Sequence, residues 1–197
     1  MIKTAKEIRM NPIQIRAAQN EENNTDMTVE GKAIVFNETT PLFNDGSTQY
    51  YEMIDSHALD GVDLSNVYLY YNHDNKAVAR TKNKTLTLDV RPDGVYFTAV
   101  LANTTYGSDL YKLVQRDDVD KCSFAFTIAD EDFDNVKNTF IVKKIDKLFE
   151  ISLVDLPAYD DTNVSVSART MVTQLETERQ KRINEEKRKT LILKTLY

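Results

Sequence analysis

The chain offers few side chains for covalent chemistry, because it has two histidines and a single cysteine. Within Lys121–Ile128 (Lys-Cys-Ser-Phe-Ala-Phe-Thr-Ile), Ser123 interrupts what otherwise reads as a buried strand. Strand side chains alternate between faces, so Cys122, Phe124, Phe126 and Ile128 form a core face. Ser123, Ala125 and Thr127 form a small, polar one with room for a substrate. A serine hydroxyl is a weak nucleophile at neutral pH and needs an imidazole within hydrogen-bond reach, itself oriented by a third group. His73 suits the base, since it follows the apolar strand Val67–Tyr71 in a polar loop, whereas His57 sits in a segment read as a short helix. For the orienting acid, Glu150 opens the strand Glu150–Val154, and Asp155 and Asp74 compete with it. The Cys122 thiol is a rival nucleophile, but it faces the core, where cysteines are inert. Each residue also has an ordinary role: a strand serine, a surface-loop histidine, a solvated carboxylate. No Gly-x-Ser-x-Gly elbow, phosphate loop, dinucleotide fingerprint or zincin helix is present.

The elements that must carry these groups follow from pattern. At 197 residues, the chain can bury one core without disulfides or metal. One cysteine excludes a disulfide framework and a cysteine zinc site, and fits a reducing compartment. No run has the length of a membrane span and no apolar signal opens the chain, so a cytosolic protein without membrane contact is expected. The net charge of −6 disfavours nucleic acid as a partner. Residues 1–27, rich in Asn, Gln and Glu, read as a flexible lead-in. Strands are expected over Thr28–Phe36, Tyr50–Ile54, Val67–Tyr71, Phe140–Ile145 and Phe149–Val154, with a loop over Asn37–Gly46. Leu86–Val90 and Val95–Leu101 form a hairpin about Arg91-Pro92-Asp93-Gly94. Leu110, Leu113 and Val114 predict a helix over Thr104–Arg116 despite Gly107. Residues 170–197, dense in Glu, Arg, Lys and Gln, predict a charged helical tail, leaving 28–169 as the main domain.

Four stretches in order resemble one family: Tyr68-Leu69-Tyr70-Tyr71-Asn72-His73-Asp74; Leu86–Val90 with Asp93–Phe97; Ser123-Phe124-Ala125-Phe126; and Phe149-Glu150-Ile151-Ser152-Leu153-Val154 through Pro157-Ala158. Together, over roughly Thr28 to Arg169, they resemble the HK97-type prohead (capsid maturation) serine proteases of tailed phages, relatives of the herpesvirus assembly proteases. Ala125 stands where that family has glycine, and Asp55–Leu59 where it has Pro-Gly-Ala-Phe, which makes His57 incidental. The resemblance implies a mainly β, α+β fold: a small closed β-barrel flanked by helices, with the charged helix at the C-terminus. It implies Ser123 as nucleophile, His73 as base and Glu150 as orienting acid, with no cofactor and no metal. It also implies a function. The expected enzyme is a serine endopeptidase that cleaves scaffold and the N-terminal region of the major capsid protein, and itself, within the immature capsid in the bacterial cytoplasm, a homo-oligomer being permitted. The oxyanion donors stay open among Arg80, Arg169 and main chain. The alternatives are a non-catalytic capsid-assembly or scaffold-fusion protein that keeps the barrel as a structural module, and a hydrolase of another acyl substrate.

Overall fold

The computed structural model describes residues 3–11, 15–17 and 26–155, with Thr177 and Lys181. The chain divides after Asn163, and the described residues before that point form two sheets around one core. In chain order the strands are β1 (Lys3–Asn11), β2 (Ile15–Ala17), β3 (Thr28–Val35), β4 (Thr40–Asn44), β5 (Gln49–Ile54), β6 (Tyr68–Tyr71), β7 (Ala79–Arg80), β8 (Leu86–Arg91), β9 (Gly94–Val100), β10 (Lys121–Asp134) and β11 (Thr139–Val154). The helix α1 (Thr105–Gln115) precedes β10. The first sheet runs β1-β10-β11-β5-β4; β6 also lines β11 and carries β7. The second runs β2-β3-β9-β8. Of the tail expected at 170–197, Thr177 and Lys181 are helical and the rest lies outside the described residues.

The expected closed barrel flanked by helices is corrected. Neither sheet closes on itself: among the described residues, β1, β4 and β7 remain outer strands of the first sheet, and β2 and β8 of the second. Closure requires the outer strands to pair with each other, and here two curved sheets enclose the core without it. Curvature comes from the β10–β11 ribbon, whose register shifts leave Phe149 and Asp146 unopposed, and such bulges bend and twist a strand pair. The bend is large enough that Arg9 on β1 reaches Glu52 on β5, three strands away in sheet order, about 14 Å in a flat sheet. In the unit that ends at Asn163, α1 is the one α-helix among the described residues.

Other elements differ from expectation for readable reasons. The two strands expected on either side of Asp146-Lys147 are one continuous β11, because Asp146 sits in a bulge, where its carboxylate accepts from the Thr127 hydroxyl at 3.2 Å. The loop expected over Asn37–Gly46 contains β4, an outer strand that tolerates Pro41 because its free edge needs no donor there. Its Phe43 is buried and stacks on Tyr50, centroids 4.8 Å apart. Residues 56–61, expected to hold a short helix, form successive turns instead. Two strands occupy the segment expected to be a flexible lead-in.

Helix α1 forms as its pattern predicts. The Thr104 hydroxyl caps it by accepting from the Gly107 amide at 3.1 Å. Leu110 and Val114 point into the core, each contributing about 2 kcal/mol by burial. Gly107 is required because a Cβ there would meet the Ala102 carbonyl oxygen at 2.0 Å. The helix therefore packs tightly against the segment that leads into it from β9 and delivers the chain into β10.

Candidate active site

Strand register brings Ser123 and Glu150 to one face. Ser123 lies opposite Ser152 and Ala125 opposite Glu150 across β10 and β11, so all four side chains share a face. On the far side of β11, β6 runs parallel, with Tyr68 beside Glu150 and Tyr71 beside Leu153. The chain then reverses through Asn72 and His73, both at positive φ (47° and 58°). Left-handed backbone is uncommon for residues other than glycine, and two in succession are held only when the surroundings fix them. Here the Asn72 amide donates to the Leu153 carbonyl at 2.9 Å. The Asp155 carboxylate accepts from the Tyr71 hydroxyl at 2.8 Å and the Asn72 side-chain amide at 3.0 Å. Burial and then that bond to Asp155 push the Tyr71 hydroxyl up to about 12.

The turn swings the His73 imidazole over the paired strands. Its Nε2 lies 2.8 Å from Ser123 Oγ and its Nδ1 lies 2.6 Å from Glu150 Oε1. Ser152 Oγ, 3.3 Å from Nδ1, closes the remaining side. Burial works against ionisation of Glu150, but hydrogen bonds from His73 and Lys6, reinforced by their charge, hold its carboxyl below the usual carboxylate range. An anionic, nearly buried carboxylate against one imidazole nitrogen and a hydroxyl against the other is the arrangement that lets a serine lose its proton during attack.

The competing candidates are elsewhere. Asp155 braces the turn before His73 rather than the ring, and exposed Asp74 lies near Lys76 at 3.5 Å. His57 is exposed and pairs with Asp60 at 3.0 Å. The Cys122 thiol is fully buried on the opposite face of β10, and desolvation pushes it up to about 12, far from the thiolate range. Arg80 bonds the Asn66 side chain and lies over the Tyr68 ring at 4.2 Å, while Arg169 lies outside the described residues. Among the described residues no cluster of histidine, cysteine and carboxylate side chains could hold a metal ion. No helix among them is long and apolar enough to cross a membrane.

Three features escaped the sequence reading. Ser152 follows Glu150 by two residues, so strand period alone places it on the same face. Lys6 on β1 donates to Glu150 Oε2 at 2.9 Å, and nothing in the sequence ties an N-terminal lysine to that acid. The polar face of β10 is also not open: Ser123 and Ala125 are both fully buried, because β1 pairs alongside.

A family model described as caudovirus prohead serine protease matches residues 12–177, a span that contains His73, Ser123 and Glu150. The chain belongs to that family. Among solved structures, the bacteriophage T4 capsid assembly protease, gp21, is similar at 12% sequence identity and a TM-score of 0.49, over 78% of this chain and 97% of that one. Comparison with curated proteins gave no match.

Proposed function

We propose that this member of the family is a serine endopeptidase of the Ser-His-Glu type, acting on capsid and scaffold proteins inside the assembling shell. The observation that carries the reading is the continuous line from Ser123 Oγ through the His73 ring to Glu150, with separations of 2.8 and 2.6 Å. Ser123 Oγ attacks the carbonyl carbon of the scissile peptide as its proton passes to His73 Nε2. The resulting imidazolium is stabilised through Nδ1 by Glu150. His73 then protonates the departing amine as the C–N bond breaks, leaving an acyl ester on Ser123. Water, deprotonated by the same nitrogen, attacks that ester, which restores the hydroxyl and releases a carboxylate.

The proposed substrates are the N-terminal region of the major capsid protein, scaffold, and the protease's own chain, within immature capsids in the host cytoplasm; membership of a prohead protease family supports this reading. Residues 170–197 serve as a docking or removable segment. The test is incubation of the protein with its cognate capsid and scaffold proteins, with fragments read by mass spectrometry. Defined fragments are expected from the parent and none from Ser123→Ala. Identical fragments from Ser123→Ala would refute the reading, and intact substrates with the parent would favour a non-catalytic assembly module.

A further inference from the structure

Strand β1 lies on the nucleophile as an extended peptide would. It pairs antiparallel with β10, Met10 opposite Ser123 and Arg9 opposite Phe124. The Ser123 hydroxyl donates to the Arg9 carbonyl at 2.9 Å, so the peptide bond joining Arg9 to Met10 is the one held at the nucleophile. That hydroxyl has one proton, and His73 Nε2 stands 2.8 Å away. The hydroxyl thus has two partners within reach, the Arg9 carbonyl and His73 Nε2, and β1 occupies the place beside it that a peptide would take. Residues 12–177 match the protease family, and β1 precedes them.

The Arg9 side chain leaves β1 on the face of Phe124, opposite to the face of Ser123. On the Phe124 face, Arg9 Nε and Nη2 donate to the two carboxylate oxygens of Glu52 at 2.6 and 2.8 Å. The Phe126 ring lies 5.8 Å from the guanidinium carbon. Glu52 is only 3% exposed. The further contact of Arg9 Nη1 to Glu7 at 3.1 Å comes from within β1 itself. A planar fork matched to a carboxylate over an aromatic ring distinguishes arginine from every other side chain. A strand bringing an apolar or acidic residue there strands a buried carboxylate without a counter-charge, which is costly.

We propose that the β10 edge covered by β1 is the substrate-docking edge, and that Glu52 is the specificity residue selecting an arginine immediately before the bond to be cut. The inference rests on the hydrolase reading of Ser123. Peptide substrates enter as an added strand in place of β1. Ser123 attacks the arginine carbonyl carbon, the following residue departs as an amine with the proton held by His73, and water frees the arginine carboxylate.

The test uses the full chain carrying Arg9→Ala, which loosens β1. Its substrates are quenched peptides with the sequence of residues 3–11 and Arg, Lys, Gln or Glu at the seventh position. The arginine peptide is expected to be cut about 100-fold faster than the glutamine peptide, with lysine between. It should also be cut faster than by the parent chain. Adding Glu52→Gln should collapse the ratio to within about threefold. The ratio is taken within one preparation, so a lowered folded fraction cancels. If the double variant does not fold, the peptide series on Arg9→Ala alone decides. Equal cutting of the arginine and glutamine peptides, or an unchanged ratio in Glu52→Gln, overturns the inference; a structural ion pair would lower thermal stability and leave the ratio near one. A fluorophosphonate probe separates the two failures. Labelling of Ser123 without arginine preference sinks only the role of Glu52, whereas absence of both labelling and cutting sinks the hydrolase reading and this inference with it.

Discussion

Replacing Glu150 by glutamine keeps the shape of the site and removes one charge, so its effect isolates what the acid does. The carboxylate touches only one end of the reacting line, through His73 Nδ1 at 2.6 Å. Two unit charges at about 4 Å with an effective dielectric near 20 attract by about 4 kcal/mol. Loss of that attraction to the imidazolium formed during attack corresponds to about a thousandfold in rate. An amide can also present its N–H₂ to Nδ1, which drives the ring proton to Nε2, where it faces Ser123. Loss of tautomer control in a triad of this kind lowers turnover by about 10⁴. We therefore expect kcat/KM to fall by about 10³ to 10⁴ on a peptide spanning a mapped capsid cleavage site. Because the acid works through the imidazole, the same substitution in a His73→Ala background should cost less than about threefold more. The assay is steady-state cleavage by the four members of that cycle, with folding checked by thermal unfolding. A loss below tenfold, or an undiminished loss without His73, would refute the assignment.

Asp155→Ala should lower kcat by about tenfold, because it removes the two bonds that brace the left-handed turn before His73; Asp74→Ala should stay within about twofold, and the reverse order in peptide cleavage would require a new orienting acid. Iodoacetamide at pH 8 should leave native Cys122 unmodified and activity intact, since burial pushes its thiol up to about 12, whereas the unfolded chain should react; stoichiometric alkylation of folded protein with loss of activity would reopen the cysteine reading. The Glu150 carboxyl is held below its usual range in the fold, so the stability it contributes is present above the ordinary value near 4.3 and lost as pH falls through the depressed one. Denaturant unfolding of the parent and Glu150→Gln should then differ at pH 7 and converge in strong acid, and a difference constant down to pH 2 would contradict the shift. Gly107→Ala should destabilise by about 1–3 kcal/mol through its clash with the Ala102 carbonyl, read as a lower thermal midpoint.

The three proposed site residues were picked out from local pattern: Ser123 in an apolar run, His73 at a strand end, and Glu150 at what reads as a strand opening but lies inside the continuous β11. Their meeting was legible only from the family resemblance, since it depends on Ala125 facing Glu150 and on β6 running parallel to β11, and both are long-range pairings. The hairpin about Gly94 and the capped helix α1 were read correctly for the same local reason. Strand β1 was not, because its inward side chains include Glu7 and Arg9, and charges satisfied by one another and by Glu52 look like solvent-facing text in a sequence. The unbroken β11 was hidden by Asp146-Lys147, polar residues that mark a bulge here and a loop elsewhere. Barrel closure is decided by which outer strands meet, and no residue pattern reports that.

Mapping a fluorophosphonate adduct by mass spectrometry tests the central claim most directly, because phosphonylation needs the activated hydroxyl and no knowledge of the natural cleavage site. The expected result is one adduct, on Ser123, formed in Arg9→Ala faster than in the parent and abolished when His73→Ala is added. An adduct on another residue, or labelling of Ser123 at an undiminished rate without His73, would contradict it.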